Sequence, residues 1–366
     1  MITPIRLLST LLCLLLVACG DRQALVTDCN NTPDAEAICL FQNPEDGERL
    51  PDTHTLLISQ MGNMKGSIPG NLVFFNTLTR SLTPAFPISG LSTTASPNWG
   101  AVNCPGLPGP EFAPHGTSLK QRFDGRWQLA VVNHGGRESV EMFELLSTNQ
   151  QWSLEWRGCV LPGGETYMND VALLKSGGFV ASHMFERHSP VILGMPLGVW
   201  KSQLRMNTGY VLEWQPESPD EVRILTGSEG PFINGVLVSA DDRYVFANVY
   251  AGNEIRKLDR VANIRVGRVA AVQVDNTAWD AKGRILAASH TGSKMDQLTC
   301  TKNPGKTCGF GYSILRIDPD TLVTETLFRH EGGAPMGAAT VALQSGKDLY
   351  LGSFSGNRMI RRAYRQ

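Results

Sequence analysis

The chain carries no surplus of either charge. Its 33 lysines and arginines stand against 34 aspartates and glutamates, a formal net charge of −1. That balance removes the electrostatic case for a nucleic-acid partner, which calls for a basic face. No Cys-x-x-Cys pair occurs, so the usual spacing of a thiolate metal site is missing as well. Past the first 18 residues no apolar run approaches the roughly 20 residues that a membrane-spanning helix needs. Helical periodicity is scarce, and the apolar positions fall instead into short alternating or β-branched runs. What is present is turn-forming: 37 glycines and 21 prolines in a chain that is 42% hydrophobic, the composition of an all-β domain with many turns around a real core.

The N-terminus holds the most specific short signal. Arg6 precedes an apolar run from Leu7 to Val17, broken only by Ser9 and Thr10, and Leu16-Val17-Ala18-Cys19-Gly20 follows. A run this short reads as the core of a signal peptide. Small residues before a cysteine match a bacterial lipobox, with Cys19 as the lipidated first residue of the mature chain. The expected organisation is a leader over 1–18, a lipid-anchored linker over 19–40 and one folded domain over 41–366. The protein is then expected in the bacterial cell envelope, facing the periplasm and touching the membrane through its anchor. Apart from Cys13 and Cys19 there remain Cys29, Cys39, Cys104, Cys159, Cys300 and Cys308. An even number in an exported chain suggests disulfides. Several connectivities are open; short loops favour Cys29–Cys39 and Cys300–Cys308, which leaves Cys104–Cys159.

A diverged repeat runs through the strands. Its copies begin at Pro44 (PEDGERLPDTHTLLISQ), Pro114 (PHGTSLKQRFDGRWQLAVVNH), Met168 (MNDVALLKSGGFVASH), Ile233 (INGVLVSADDRYVFANV), Val274 (VDNTAWDAKGRILAASH) and Gly337 (GAATVALQSGKDLYLGS). Each copy has a small or polar head, a short strand, a tight turn and a returning strand. The turns are Pro51-Asp52, Asp124-Gly125, Gly177-Gly178, Asp241-Asp242, Lys282-Gly283 and Gly346-Lys347. Further strand-like segments fill the gaps. Six units of four antiparallel strands predict a six-bladed β-propeller in preference to a β-sandwich, which has no need of six matching hairpins.

In a propeller the innermost strands line a central channel, so the heads of the copies converge at one end of it. Those heads are Glu45-Asp46, His115, Asn169-Asp170, Asn234 and Asp275-Asn276. Oxygen donors dominate. Glu45, Asn169, Asn234, Asp275 and Asn276 offer two carboxylates and three neutral amides, the set a hard cation such as calcium takes, with six to eight oxygens at about 2.3–2.6 Å. Taken one at a time, each head residue equally suits a turn at the start of a strand; together the set points to a cation.

The order of PED, PHGTSL, LAVVNH with VEMFEL, NDVAL, FING with SADDRYVFANV, VDN and TVA with LYLGS resembles the paraoxonase/arylesterase family and, more broadly, the gluconolactonase-like propellers. The likeness runs from about 45 to 360. It implies calcium-dependent hydrolysis of a small ester or lactone and two calcium ions in the tunnel. By this resemblance the catalytic ion takes Glu45, Asn169, Asn234, Asp275 and Asn276. The structural ion takes Asp46, Asp170 and the carbonyl of Thr117. The resemblance also implies a histidine pair, His115 as base and His134 behind it, with His183 and His290 in the cavity wall and Phe232 lining the pocket. It places an amphipathic lid at 185–208, and the stretch from Gly62 to Gly70, with Met61, Met64 and Ile68, reads as another rim loop. Two departures stand out. The C-terminal IRRAYRQ lacks the cysteine by which animal members join their ends, and Ile68 stands where a rim aromatic is associated with lactone binding. A propeller lipoprotein that binds ligands or partners without turnover is the rival reading, and a lactonase for polar sugar lactones is a third.

Overall fold

The computed structural model describes residues 25–87, 96, 98–301, 303 and 305–364. The leader and Cys19 lie outside the described residues. Each repeat folds as the alternation and turns predict. The inner hairpins are Pro44–Arg49 with Thr55–Gln60, Pro114–Gln121 with Trp127–Asn133, Met168–Leu173 with Phe179–His183, Ile233–Val238 with Tyr244–Val249, Val274–Trp279 with Ile285–His290, and Ala339–Ser345 with Asp348–Ser353. Their tight turns carry left-handed backbone at Thr53, Gly125, Gly177, Asp242, Gly283 and Gly346. That is the geometry for which glycine and Asp/Asn are suited.

Two further strands complete each sheet, giving six four-stranded antiparallel sheets among the described residues. Successive inner strands touch around a closed ring, with the sixth blade returning to the first. The apolar core is divided accordingly, one cluster per interface. Leu57, Leu72 and Phe74 of the first blade meet Leu129, Val131 and Phe143 of the second, and Ile38, Phe41 and Phe75 meet Val341 and Tyr350 where the ring closes. This is the six-bladed propeller that the repeat predicts.

The boundary expected near residue 41 shifts. Glu36–Ile38 forms the outermost strand of the sixth blade, antiparallel to Met359–Ala363, with Glu36 opposite Arg361 and Ile38 opposite Met359. A segment read as linker therefore closes the ring by strand pairing. Too short to show alternation, it carries no strand signal of its own. The three disulfides are Cys29–Cys39, Cys104–Cys159 and Cys300–Cys308, as the loop lengths suggest. No helix among the described residues is long and apolar enough to cross a membrane.

Candidate active site

The inner strands share a defect. In every blade the pairing with the second strand slips near its start, between Pro44 and Asp46, Pro114 and Thr117, Met168 and Val171, Ile233 and Val236, Val274 and Thr277, and Ala339 and Val341. The residues inside these bulges are Glu45, His115, Asn169, Asp170, Asn234, Asp275, Asn276 and Thr340, with Gly116 and Gly235. A regular strand sends neighbours to opposite faces. A bulge frees them from that alternation and re-aims their side chains, so the adjacent Asn169 and Asp170, and Asp275 and Asn276, are all buried at the axis. The two glycines are steric requirements: a Cβ on Gly116 would strike Asp170, and one on Gly235 would strike Asn248 and the Asp275 carbonyl.

Of the expected oxygen set, Glu45 is joined to Asn276 and Asn234 to Asp275 by side-chain hydrogen bonds. Asn276 Nδ2 donates to Glu45 Oε1 at 2.8 Å. Asn234 is hydrogen-bonded to Asp275, and Asn169 Nδ2 points to Met184 Sδ at 3.5 Å. Once these bonds are made, Glu45 Oε2, Asn169 Oδ1, Asn234 Oδ1 and Asn276 Oδ1 are buried without any donor. Buried acceptors are normally satisfied, and each one left bare costs on the order of 1–3 kcal/mol. Four such oxygens from four blades fit a hard cation. Among the described residues no group of three or more His, Cys, Asp or Glu side chains is spaced to hold an ion by itself; amide oxygens dilute the carboxylates here.

Deeper in the tunnel, Asp46 Oδ2 accepts the Thr117 N–H at 2.6 Å and its hydroxyl at 2.9 Å. Asp170 accepts the N–H groups of Val171 at 2.7 Å and Val236 at 2.8 Å. The structure thus joins Thr117 to Asp46 through its N–H and hydroxyl donors. Burial and the nearby Glu45 charge push the Asp46 pKa up to about 7. Burial and the Asp46 charge raise Asp170, and burial and Glu45 raise Asp275. No lysine or arginine ion pair reaches these carboxylates among the described residues. The cluster is short of positive charge, which a divalent ion would supply.

His115 Nδ1 lies 3.0 Å from His134 Nε2, and His115 Nε2 lies 3.5 Å from Glu45 Oε1. Both rings are buried. Burial draws the His115 pKa down, but the negative charge of Glu45, with those of Asp46 and Glu138, outweighs it and leaves the value raised. Glu138, which carries no signal in the repeat, stands 2.9 Å behind His134 Nδ1.

His183 and His290 play different parts. His183 Nδ1 accepts the Tyr167 N–H at 3.0 Å, and burial lowers its pKa to about 4. It ties the third blade together beside the cavity. His290 Nδ1 is 3.0 Å from the Tyr250 hydroxyl, with Nε2 3.5 Å from Asp275 Oδ2. Phe232 has left-handed backbone (φ 59°) and stacks its ring near Phe185 at 5.6 Å and Tyr250 at 5.5 Å. Ring contacts continue from His134 through Tyr167 to Phe185, and from Tyr250 through His290 to Phe310. The mouth is therefore edged by an aromatic collar. The segment 185–208 contains the short hairpin of Val191–Ile192 and Met195–Pro196 and the helix Leu197–Gln203. Phe185 and Val199 from it share a cluster with Met64 and Phe232. Ile68 is exposed on the rim.

Sequence reasoning missed Glu138, Asn248 and Tyr250. Asn248 Nδ2 donates to the Asp275 carbonyl at 2.6 Å and its Oδ1 is a fourth bare amide oxygen. It and Tyr250 sit on or just past the second strand of their hairpin, where the head rule does not look. A cavity of about 600 Å³ opens at the opposite end of the tunnel, reaching up to Asp46, Thr117 and Asp170.

Fold and mouth together define a class: a propeller whose axis gathers buried oxygens beside linked histidines. The chain belongs to the arylesterase family, whose model matches residues 101–360. Human (Homo sapiens) serum paraoxonase/lactonase 3 is 28% identical over 255 residues, 65% of each chain. Human serum paraoxonase/arylesterase 1 is 26% identical over 246 residues, 63% of each. The match thus spans just under two thirds of these relatives' length. A gluconolactonase from Xanthomonas campestris superimposes with a TM-score of 0.52 over 95% of this chain and 96% of its own, at 14% identity. That likeness concerns the fold.

Proposed function

We propose that this chain hydrolyses carboxylic esters or lactones with calcium at the tunnel mouth. One observation carries the reading: the bare oxygens of Glu45, Asn169, Asn234 and Asn276 share a buried mouth with the linked pair His115–His134. The names of the paraoxonase/lactonase and paraoxonase/arylesterase relatives support it. Glu45, Asn169, Asn234, Asp275 and Asn276 would hold the ion. Bound there, calcium supplies Lewis-acid polarisation of the substrate carbonyl. A second, structural ion belongs with Asp46, Asp170 and Thr117.

His115 is the base of this proposal. An imidazole with a free nitrogen at the mouth takes a proton from the attacking water, and His134 behind it stabilises the ring as it gains charge. Tyr167, Phe185, Phe232 and Tyr250 exclude water around that step and offer flat apolar faces to the acyl or aryl part of the substrate. The collar favours an apolar ester or lactone over a sugar lactone. The lipid anchor at Cys19, the signal peptide and a periplasm-facing place in the envelope belong to the same proposal and rest on the leader pattern; palmitate labelling lost in Cys19→Ala tests them.

The deciding experiment is hydrolysis of a lactone panel and phenyl acetate by purified protein, with and without chelator and with His115→Gln. Turnover lost in both arms supports the proposal. Calcium binding with no turnover of any ester or lactone makes the chain a binding propeller instead.

A further inference from the structure

We infer that Glu138 is the positioning residue that decides which nitrogen of His115 carries the lone pair, an inference that rests on the hydrolase reading above. Glu138 lies just before the third strand of the second blade, Ser139–Thr148, with its side chain 8% exposed. Its Oε1 accepts the Met168 N–H at 2.7 Å. Its Oε2 lies 2.9 Å from His134 Nδ1, and the Arg187 guanidinium stands 3.6 Å from the same oxygen. Arg187 also donates to the His134 backbone carbonyl at 2.9 Å, which ties the guanidinium to the backbone that carries the imidazole.

The direction of the chain follows from donor chemistry. An ionised carboxylate only accepts, so His134 carries its hydrogen on Nδ1. In the neutral ring Nε2 is then bare, and the hydrogen bond of 3.0 Å to His115 places a hydrogen on His115 Nδ1. That leaves the lone pair of His115 on Nε2, the nitrogen 3.5 Å from Glu45 and the oxygen cluster. An acceptor at the far end thus exposes a base at the near end. The sequence Glu138–His134–His115 works as a one-way relay of tautomers, the role a buried carboxylate plays behind a catalytic imidazole.

Glu138→Gln reverses it. The Met168 N–H still needs an acceptor, so the new amide turns its oxygen there and its NH2 to His134 Nδ1. His134 then carries its hydrogen on Nε2 and so does His115, and the lone pair is withdrawn from the reaction side. Glu138→Asp keeps an acceptor-only group. The exposed pair Glu165–His188, 3.0 Å apart, meets this assembly only through the Glu165 carbonyl, which accepts the Arg187 N–H, so its side chains provide a control.

The test uses the purified full protein with 15N-labelled histidine, and long-range 1H–15N spectra to read ring tautomers. Wild type is expected to show His134 protonated on Nδ1, and Glu138→Gln to show it on Nε2. In Glu138→Gln kcat falls on the order of 10²–10⁴-fold while KM stays within about threefold. Glu138→Asp recovers most of kcat, and Glu165→Gln is unchanged. Wild-type His134 protonated on Nε2, or full kcat in Glu138→Gln, overturns the inference. Should Glu138→Gln fail to fold, the wild-type spectrum and Glu138→Asp decide. Should wild type hydrolyse no ester or lactone, the hydrolase reading falls while the spectra still settle the relay.

Discussion

Asn276 Nδ2 donates to Glu45 Oε1 across 2.8 Å, tying the fifth blade to the first over 231 positions of chain. Each partner uses one polar atom on the other and keeps one oxygen bare, Glu45 Oε2 and Asn276 Oδ1. This one contact both pins the ring of blades at its mouth and contributes to the acceptor surplus there.

Stripping divalent ions is expected to lower the melting temperature as well as any ester hydrolysis. Without an ion, Asp46, Asp170 and Asp275 are left as buried carboxylates with no cationic partner. A ligand at about a hundred times its Kd adds roughly 2.7 kcal/mol, so re-adding calcium after a chelator should raise the melting temperature by several degrees. Superimposable melting curves in the two conditions would contradict the metal reading.

Ring closure rests on Glu36–Ile38. Ile38 is 6% exposed and packs with Phe41, Phe75, Tyr350 and Met359. Ile38→Asp is predicted to cost about 3 kcal/mol or more, because it removes apolar burial and leaves a carboxylate without a partner. Urea denaturation measures this; a midpoint unmoved from wild type would mean the strand does not hold the ring.

The Cys104–Cys159 bond closes a loop with a sequence separation of 55. Chain-entropy reasoning assigns such a cross-link about 4 kcal/mol. The Cys104→Ser, Cys159→Ser double variant should therefore melt well below wild type under non-reducing conditions. A loss under about 1 kcal/mol would show that the bond adds little.

His183 introduces a pH dependence. Burial holds its folded pKa at about 4, below the ordinary value near 6.5. Between those values the unfolded chain binds the extra proton, so the contribution of His183 is complete above about pH 6.5 and drains away as pH falls toward 4. Protonation also destroys the lone pair that accepts the Tyr167 N–H. His183→Gln should flatten the fall in melting temperature between pH 6.5 and 4.5; parallel profiles for the two proteins would refute the assignment.

The hairpins, their turns and the number of blades were legible because each copy writes its own alternation and its own turn residues. The heads were legible for a topological reason: a propeller places the start of every inner strand at one end of its axis, so Glu45, Asn169, Asn234, Asp275 and Asn276 had to be neighbours once the repeat was seen. Glu138 was not legible. It lies between strands of one blade, and it becomes the partner of His134 only through the curl of the Gly135–Arg137 turn and the approach of Met168 from the next blade. Asn248 and Tyr250 escaped in the same way, being brought to the axis by pairing across the hairpin rather than by a position in the motif.

Composition, local periodicity and repeat order, all carried by residues near one another in the chain, determined the strands, the six units and the identity of the oxygen-rich heads. Only the folded ring decided that adjacent residues such as Asn169 and Asp170 are both buried at the axis, since that depends on a slip in pairing that no alternation pattern records. It also decided that Glu36–Ile38 belongs to the last blade and that a carboxylate stands behind His134. Those contacts join groups whose separation along the chain says nothing of their distance in space, so the packing of blade against blade was needed to reveal them.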